Sequence, residues 1–199
     1  MDAILEVETW RMLLVVVPAA AVLMTAAVTD ALETRIPNWL TYPALPVGLL
    51  VHGIAFGLGA AGWAAPAALT TLVVGILLML PGWLGGGDAK LLTALAGFVG
   101  FAALGEILFY AIWVGFALGI VLALANGYLV EMARQLGRFF TGLFYAVTQM
   151  ETDMLRDLET DERSEVPFGV AIFVGFVVAF SDARYGWPGL FDWFFGGIG

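Results

Sequence analysis

The chain has 199 residues, of which 61% are hydrophobic and 13% charged, with a formal net charge of −9 and no cysteine. A soluble domain of this length carries roughly 25% charged residues, so composition excludes an ordinary water-soluble enzyme and places the chain in a lipid bilayer. The absence of cysteine excludes disulfides, zinc ribbons and thiol nucleophiles, and no basic patch is present for nucleic acid.

Six membrane spans are predicted in chain order. The first runs from about Met12 to Thr29, a stretch with no charged side chain. The acids Asp2, Glu6 and Glu8 precede it where a secretory signal would carry basic residues, so it is expected to be retained as a span. The stretch from Ile36 to Gly87 is also free of charge. It is too long for one span and fits two, at about 20 residues each: Trp39 to Leu58 and Trp63 to Leu80. The fourth span starts in the glycine run near Gly86 and ends near Leu104. The fifth covers Ile107 to Tyr128. The sixth covers Pro167 to Phe180, with Trp187, Trp193, Phe194 and Phe195 beyond it as an interfacial anchor. Asn38 is expected to cap the second helix. Pro167 suits the first turn of the sixth, and Pro43 and Pro46 are candidates to kink the second.

Between spans five and six lies the largest polar segment, residues 129–166. Its portion from Phe139 to Met150 is apolar, aromatic and too short to span, which suits a helix lying in the interface. Eight acids fall between Glu131 and Glu165, against four arginines. This is a local acidic loop rather than a field over the whole chain. With the N-terminus outside, the cytoplasmic segments hold Arg35, Lys90, Arg134, Arg138, Arg156 and Arg163, and the outer ones only Arg11 and Arg184. That bias sets the orientation. The expected architecture is therefore an all-α polytopic membrane bundle of about six transmembrane helices. It forms one domain over residues 1–199, with a cytoplasmic insert at about 129–166.

An ionisable residue at membrane depth is costly and is a functional candidate by default. Asp30, Asp88 and Glu106 qualify by position. Asp30 closes the first span and Asp88 opens the fourth on the same, cytoplasmic face. Glu106 falls between spans four and five and reads as a solvated loop acid. Two nearby carboxylates cannot both ionise cheaply, so one keeps a proton while the other activates water. That is the chemistry of an aspartic-protease dyad, whose members titrate as one unit. Gly85, Gly86 and Gly87 before Asp88 let backbone approach a substrate closely.

Blander readings stand beside these. Asp88 is also placed to favour the positive end of its helix, and Asp30 to be a membrane-edge acid paired with Arg35. Arg35 itself reads as a topology charge. Lys90 is expected to extend to the head groups. His52, the sole histidine, has no second metal ligand in view and reads as a packed or hydrogen-bonded side chain.

The stretch from Thr29 to Thr41 contains Asp30, Arg35, Ile36-Pro37-Asn38 and Leu40-Thr41. It resembles the first signature of the prepilin peptidases. Gly85-Gly86-Gly87-Asp88-Ala89-Lys90-Leu91-Leu92 resembles their second, the GxGD motif followed by Lys-Leu. Val166-Pro167-Phe168-Gly169 is similar to the start of their last span. The resemblance covers roughly residues 12 to 183. It implies a metal-free, cofactor-free GxGD aspartyl peptidase of the inner membrane that cuts the leader from type IV prepilins or pilin-like precursors at the cytoplasmic face. The motif match carries the catalytic roles onto Asp30 and Asp88, with Gly85, Gly86, Gly87, Lys90 and Arg35 in support. The larger members also methylate the new N-terminus and carry an N-terminal segment with a cysteine zinc site. Only about ten residues precede the first span here, so methyl transfer is not expected. The short form is most similar to the single-function enzymes of tight-adherence (Flp) pili and to preflagellin peptidases. The competing hypotheses are an inactive membrane assembly protein of a pilus or secretion system, and a transporter with an aspartate proton relay. The second would place its acids at mid-membrane, whereas Asp30 and Asp88 share one edge.

Overall fold

The computed structural model describes residues 2–80, 84–125, 127 and 168–185, and every element among them is an α-helix. The predicted insert, its interfacial helix, the acidic loop, Pro167 and the C-terminal aromatic anchor lie outside the described residues. Helix α1 spans Asp2–Glu33, α2 Asn38–Phe56, α3 Leu58–Met79, α4 Gly86–Ala125 and α5 Phe168–Tyr185. Four stretches are long and apolar enough to cross a bilayer: Trp10–Glu33, Asn38–Phe56, Leu58–Met79 and Gly86–Ala125. Phe168–Asp182 in α5 is a shorter apolar stretch. Large apolar side chains such as Leu32, Leu50, Trp63, Leu77 and Trp113 point outward. That surface suits lipid and would be costly in water.

Helix α4 is 40 residues long. A straight helix of that length would run about 60 Å, twice the roughly 30 Å of hydrocarbon it has to cross. It does not run straight. Gly100 sits at φ +73°, ψ −174°, a conformation that favours a residue without Cβ. Before the break, Gly97 packs on Leu45 and Leu49, and Phe98 lies on Gly48, so the first arm runs alongside α2. After it, Tyr110 reaches Asp182, Gly175 abuts Ala111, and Gly115 faces Ala171 and Phe168. The second arm thus runs back along α5 in the opposite direction. The sequence reading placed this turn between Leu104 and Ile107, with Glu106 in a loop. The structure corrects both points: the turn is at Gly100, where the backbone needs a glycine, and Glu106 is helical and half-buried.

The break leaves the Phe98 carbonyl outside the regular ladder. His52 Nδ1–H donates to it at 2.7 Å, as an orphaned backbone acceptor at membrane depth requires. The histidine is hydrogen-bonded, as expected. The other tight turn, between α2 and α3, uses Gly57 at φ +93°.

Packing follows a stripe on each helix. In α1, Val15, Ala19, Leu23 and Ala26 are buried at helical spacing, and Asp30 continues the row. In α5 the row is Ile172, Phe176, Ala179 and then Asp182. Leu91, Leu95 and Phe98 of α4 fill the space between the helices. Small residues let backbones close in: a methyl added at Gly75 would stand 2.9 Å from the Ala89 Cβ. In lipid, where apolar burial drives little association, such close contact is what holds helices together.

Candidate active site

One end of the bundle gathers the residues singled out in the sequence. Helix α1 ends at Glu33, and Thr34 takes φ +52° so that its N–H returns to the Asp30 carbonyl at 2.9 Å. A left-handed residue closing a helix is common, but usually it is glycine. A β-branched residue there is strained. The chain then passes through Arg35, which is exposed, and Ile36. A methyl on Gly87 would lie 3.1 Å from the Ile36 Cβ. The start of α4, with Asp88 in its first turn, is therefore seated against the link between α1 and α2.

Asp30 is only 8% exposed. Its Oδ2 accepts the N–H of Gly169, at the start of α5, at 2.8 Å. That N–H belongs to the first turn of a helix, where backbone donors have no partner within the helix. A carboxylate there completes the helix start and meets the positive end of its dipole. Asp88 is half-buried. Its carboxylate folds back onto the glycine turn: a methyl at Gly85 would stand 2.7 Å from Asp88 Oδ2. The Ala89 N–H meanwhile bonds to the Gly85 carbonyl at 3.0 Å, closing the first turn. Gly86 faces the Met79 sulfur from the end of α3.

Lys90 and Asn38 depart from expectation. Pro37, not Asn38, is the residue before α2, and no side chain caps that helix. Asn38 is the first helical residue, and its Oδ1 accepts Lys90 Nζ at 2.8 Å. Lys90 Nζ also lies 5.2 Å from the centre of the Tyr42 ring. The lysine thus ties the start of α4 to the start of α2 rather than reaching for head groups. A nearby carboxamide and an aromatic face offer more than solvent does at this depth.

The structure therefore brings Asp30, Asp88, Gly85, Gly86, Gly87 and Lys90 to one end, and leaves Arg35 beside them, facing outward. Two features escaped the sequence reading. Gly169 was noted only as part of a span start, because a backbone N–H has no side-chain signature. Asp182 was passed over because the last span was ended at Phe180. It is 6% exposed and accepts a hydrogen bond from Tyr110 Oη. Thirteen residues of helix separate it from Gly169, about 20 Å along the axis, so it stands at the far end of the bundle. Among the described residues, no group of three or more His, Cys, Asp or Glu side chains is placed to hold a metal ion.

Residues 17–124 match the profile of the type IV leader peptidase family. The chain belongs to that family. The matched region takes in both aspartates, the glycine turn, Arg35 and Lys90, and stops before α5. It carries with it the coarse function: a protease of the prepilin peptidase kind, in a membrane protein built of apolar helices. No curated protein matches the chain, and no solved structure does.

Proposed function

We propose that this family member is an aspartyl endopeptidase that removes the leader from a type IV prepilin or pilin-like precursor at the cytoplasmic face of the inner membrane, with Asp30 and Asp88 as its acid–base pair. The observation that supports the reading is the placing of two carboxylates from different helices at one end of the bundle, each laid against a glycine. The six-pass topology with the insert on the cytoplasmic side belongs to the same proposal. So does a single domain, which brings the insert within reach of the substrate.

The chemistry needs one proton shared by the pair. The ionised carboxylate takes a proton from water as the oxygen attacks the scissile carbonyl carbon. The protonated partner gives its proton to the carbonyl oxygen, forming a tetrahedral diol. When the diol collapses, the C–N bond breaks and a proton passes to the leaving nitrogen. The products are a leader with a free carboxylate and a mature chain with a free amine, and the pair again holds one proton. The membrane edge suits this reaction because it supplies water to a substrate whose apolar segment remains in lipid.

The test is co-expression with a panel of precursors of the tight-adherence and preflagellin types, reading their size by gel and mass spectrometry. Wild type is expected to shorten at least one. Asp30→Asn and Asp88→Asn should each leave it full length while accumulating normally in the membrane. Cleavage by either single variant would rule out the two-aspartate mechanism. A wild type that cuts nothing, yet is needed for pilus assembly, would turn the reading toward an assembly protein.

A further inference from the structure

The contact between α5 and Asp30 lies outside the two aspartate signatures, in the stretch similar to the start of the family's last span. Asp30 Oδ2 accepts the Gly169 N–H at 2.8 Å. The same glycine leaves little room for a side chain. A methyl group there would stand 3.0 Å from Asp30 Oδ2, 3.1 Å from its Cβ and 3.3 Å from its Cγ. Asp30 Cβ, Cγ and Oδ2 therefore lie against the first turn of α5. Two separate properties of one residue, its donor and its missing side chain, converge on the same group.

We propose that Gly169 is a positioning residue for Asp30: its N–H and its missing side chain together hold the carboxylate in one orientation, ready to take a proton from water. The inference rests on the peptidase reading above and deepens it by adding a third helix to the site. A hydrogen bond donated to a carboxylate fixes the direction in which its oxygens point. Other charged or titratable groups at this end are Glu33 and Arg35 next to Asp30, Asp88 and Lys90 on α4, and Tyr42 on α2. Helix α3 and the first two turns of α5 carry none. From the α5 side, the Gly169 N–H is a donor that meets Asp30. The far end of α5 is fixed by Asp182 and Tyr110, so the first turn approaches Asp30 on a helix anchored at both ends.

Gly169→Ala keeps the N–H and adds the methyl. The carboxylate has to give way by a few tenths of an ångström, and small misplacements of a reacting group are expensive in rate. Gly175→Ala is the control on the same helix, because its methyl would strike the Ala111 backbone nitrogen at 2.6 Å, away from Asp30. Full-length variants are purified in detergent and compared in three ways: cleavage kinetics, thermal unfolding, and the pH dependence of Asp30 labelling by a carbodiimide. That reagent modifies only the protonated carboxyl, and mass spectrometry reads the site.

For Gly169→Ala, kcat is expected to fall about tenfold with KM nearly unchanged. Unfolding should stay at the wild-type temperature or rise, since alanine favours a helix over glycine. The labelling midpoint of Asp30 should differ from that of the wild type. Gly175→Ala should unfold earlier, while its folded fraction keeps wild-type kcat and labelling. If Gly169→Ala instead loses stability and keeps turnover per folded molecule, or leaves kcat and the labelling midpoint unchanged, the inference is overturned. Should wild type cleave no precursor while the labelling midpoint still moves, the peptidase reading fails and the hold on Asp30 stands. Should wild type cleave and Asp30→Asn not, with Gly169→Ala like wild type, the reverse is true.

Discussion

The two ends of the bundle each bury an acid, and they treat it differently. Asp30 and Asp182 both continue the buried stripe of their helix, at 8% and 6% exposure. Either carboxylate at this depth needs hydrogen-bond partners. Asp182 receives the Tyr110 hydroxyl, from a helix already packed along the whole of α5. Asp30 receives a backbone N–H at a helix start, and shares its end with Asp88, a glycine turn and the strained Thr34. Burial does not separate the two. The neighbours do: one acid joins two helices through a tyrosine, while the other lies against a helix start at the end of the bundle that also carries Asp88 and the glycine turn.

The sharpest way to break that comparison is to remove the charge from each acid in turn. Asp30→Asn should lower cleavage at least about 10³-fold, as loss of a catalytic group does elsewhere, with normal membrane levels. Asp182→Asn keeps an oxygen for Tyr110 to donate to, so turnover of the folded protein should change by no more than about twofold. Equal loss of activity in both would erase the distinction. A gentler cut is Tyr110→Phe, which removes the donor and leaves Asp182 buried. It should cost about 1–3 kcal/mol of stability, read as earlier thermal unfolding, with cleavage by the remaining folded protein unaffected. A specific fall in turnover would mean that the far end reaches the site through α5.

How far these ends could be read from sequence depends on what kind of atom does the work. Charge-free stretches and helical spacing located α2 and α3 within a few residues, because lipid demands continuous apolar length. Asp30 and Asp88 stood out because a carboxylate at a membrane edge is expensive. The turn at Gly100 was missed by a few residues. Composition places a break near a polar residue such as Glu106, whereas the backbone placed it where positive φ is free. Asn38 looked like a cap because its residue type favours that role. Its carboxamide instead meets Lys90, a partner 52 positions away that no local rule reveals. The Gly169 donor was invisible for a similar reason: it is main chain, and its partner lies 139 residues back.

Lys90 supplies the smallest effect, and the one most able to refine where the site ends. Its ammonium bonds Asn38 and faces Tyr42, so it acts on the seating of α4 rather than on a carboxylate. Asn38 is exposed and Lys90 half-buried, which limits the pair to about 0.5–1.5 kcal/mol. Lys90→Met should therefore lower stability by no more than that, and slow cleavage only a few-fold as the turn holding Asp88 loosens. Asn38→Ala should do much the same. The double variant should be no worse than either single one, because both remove one shared contact. Additive losses would show that Lys90 has a second partner that matters. A loss as deep as that of Asp88→Asn would place its charge in the reaction itself, and the boundary between the group that reacts and the groups that hold it would have to be redrawn to include α2.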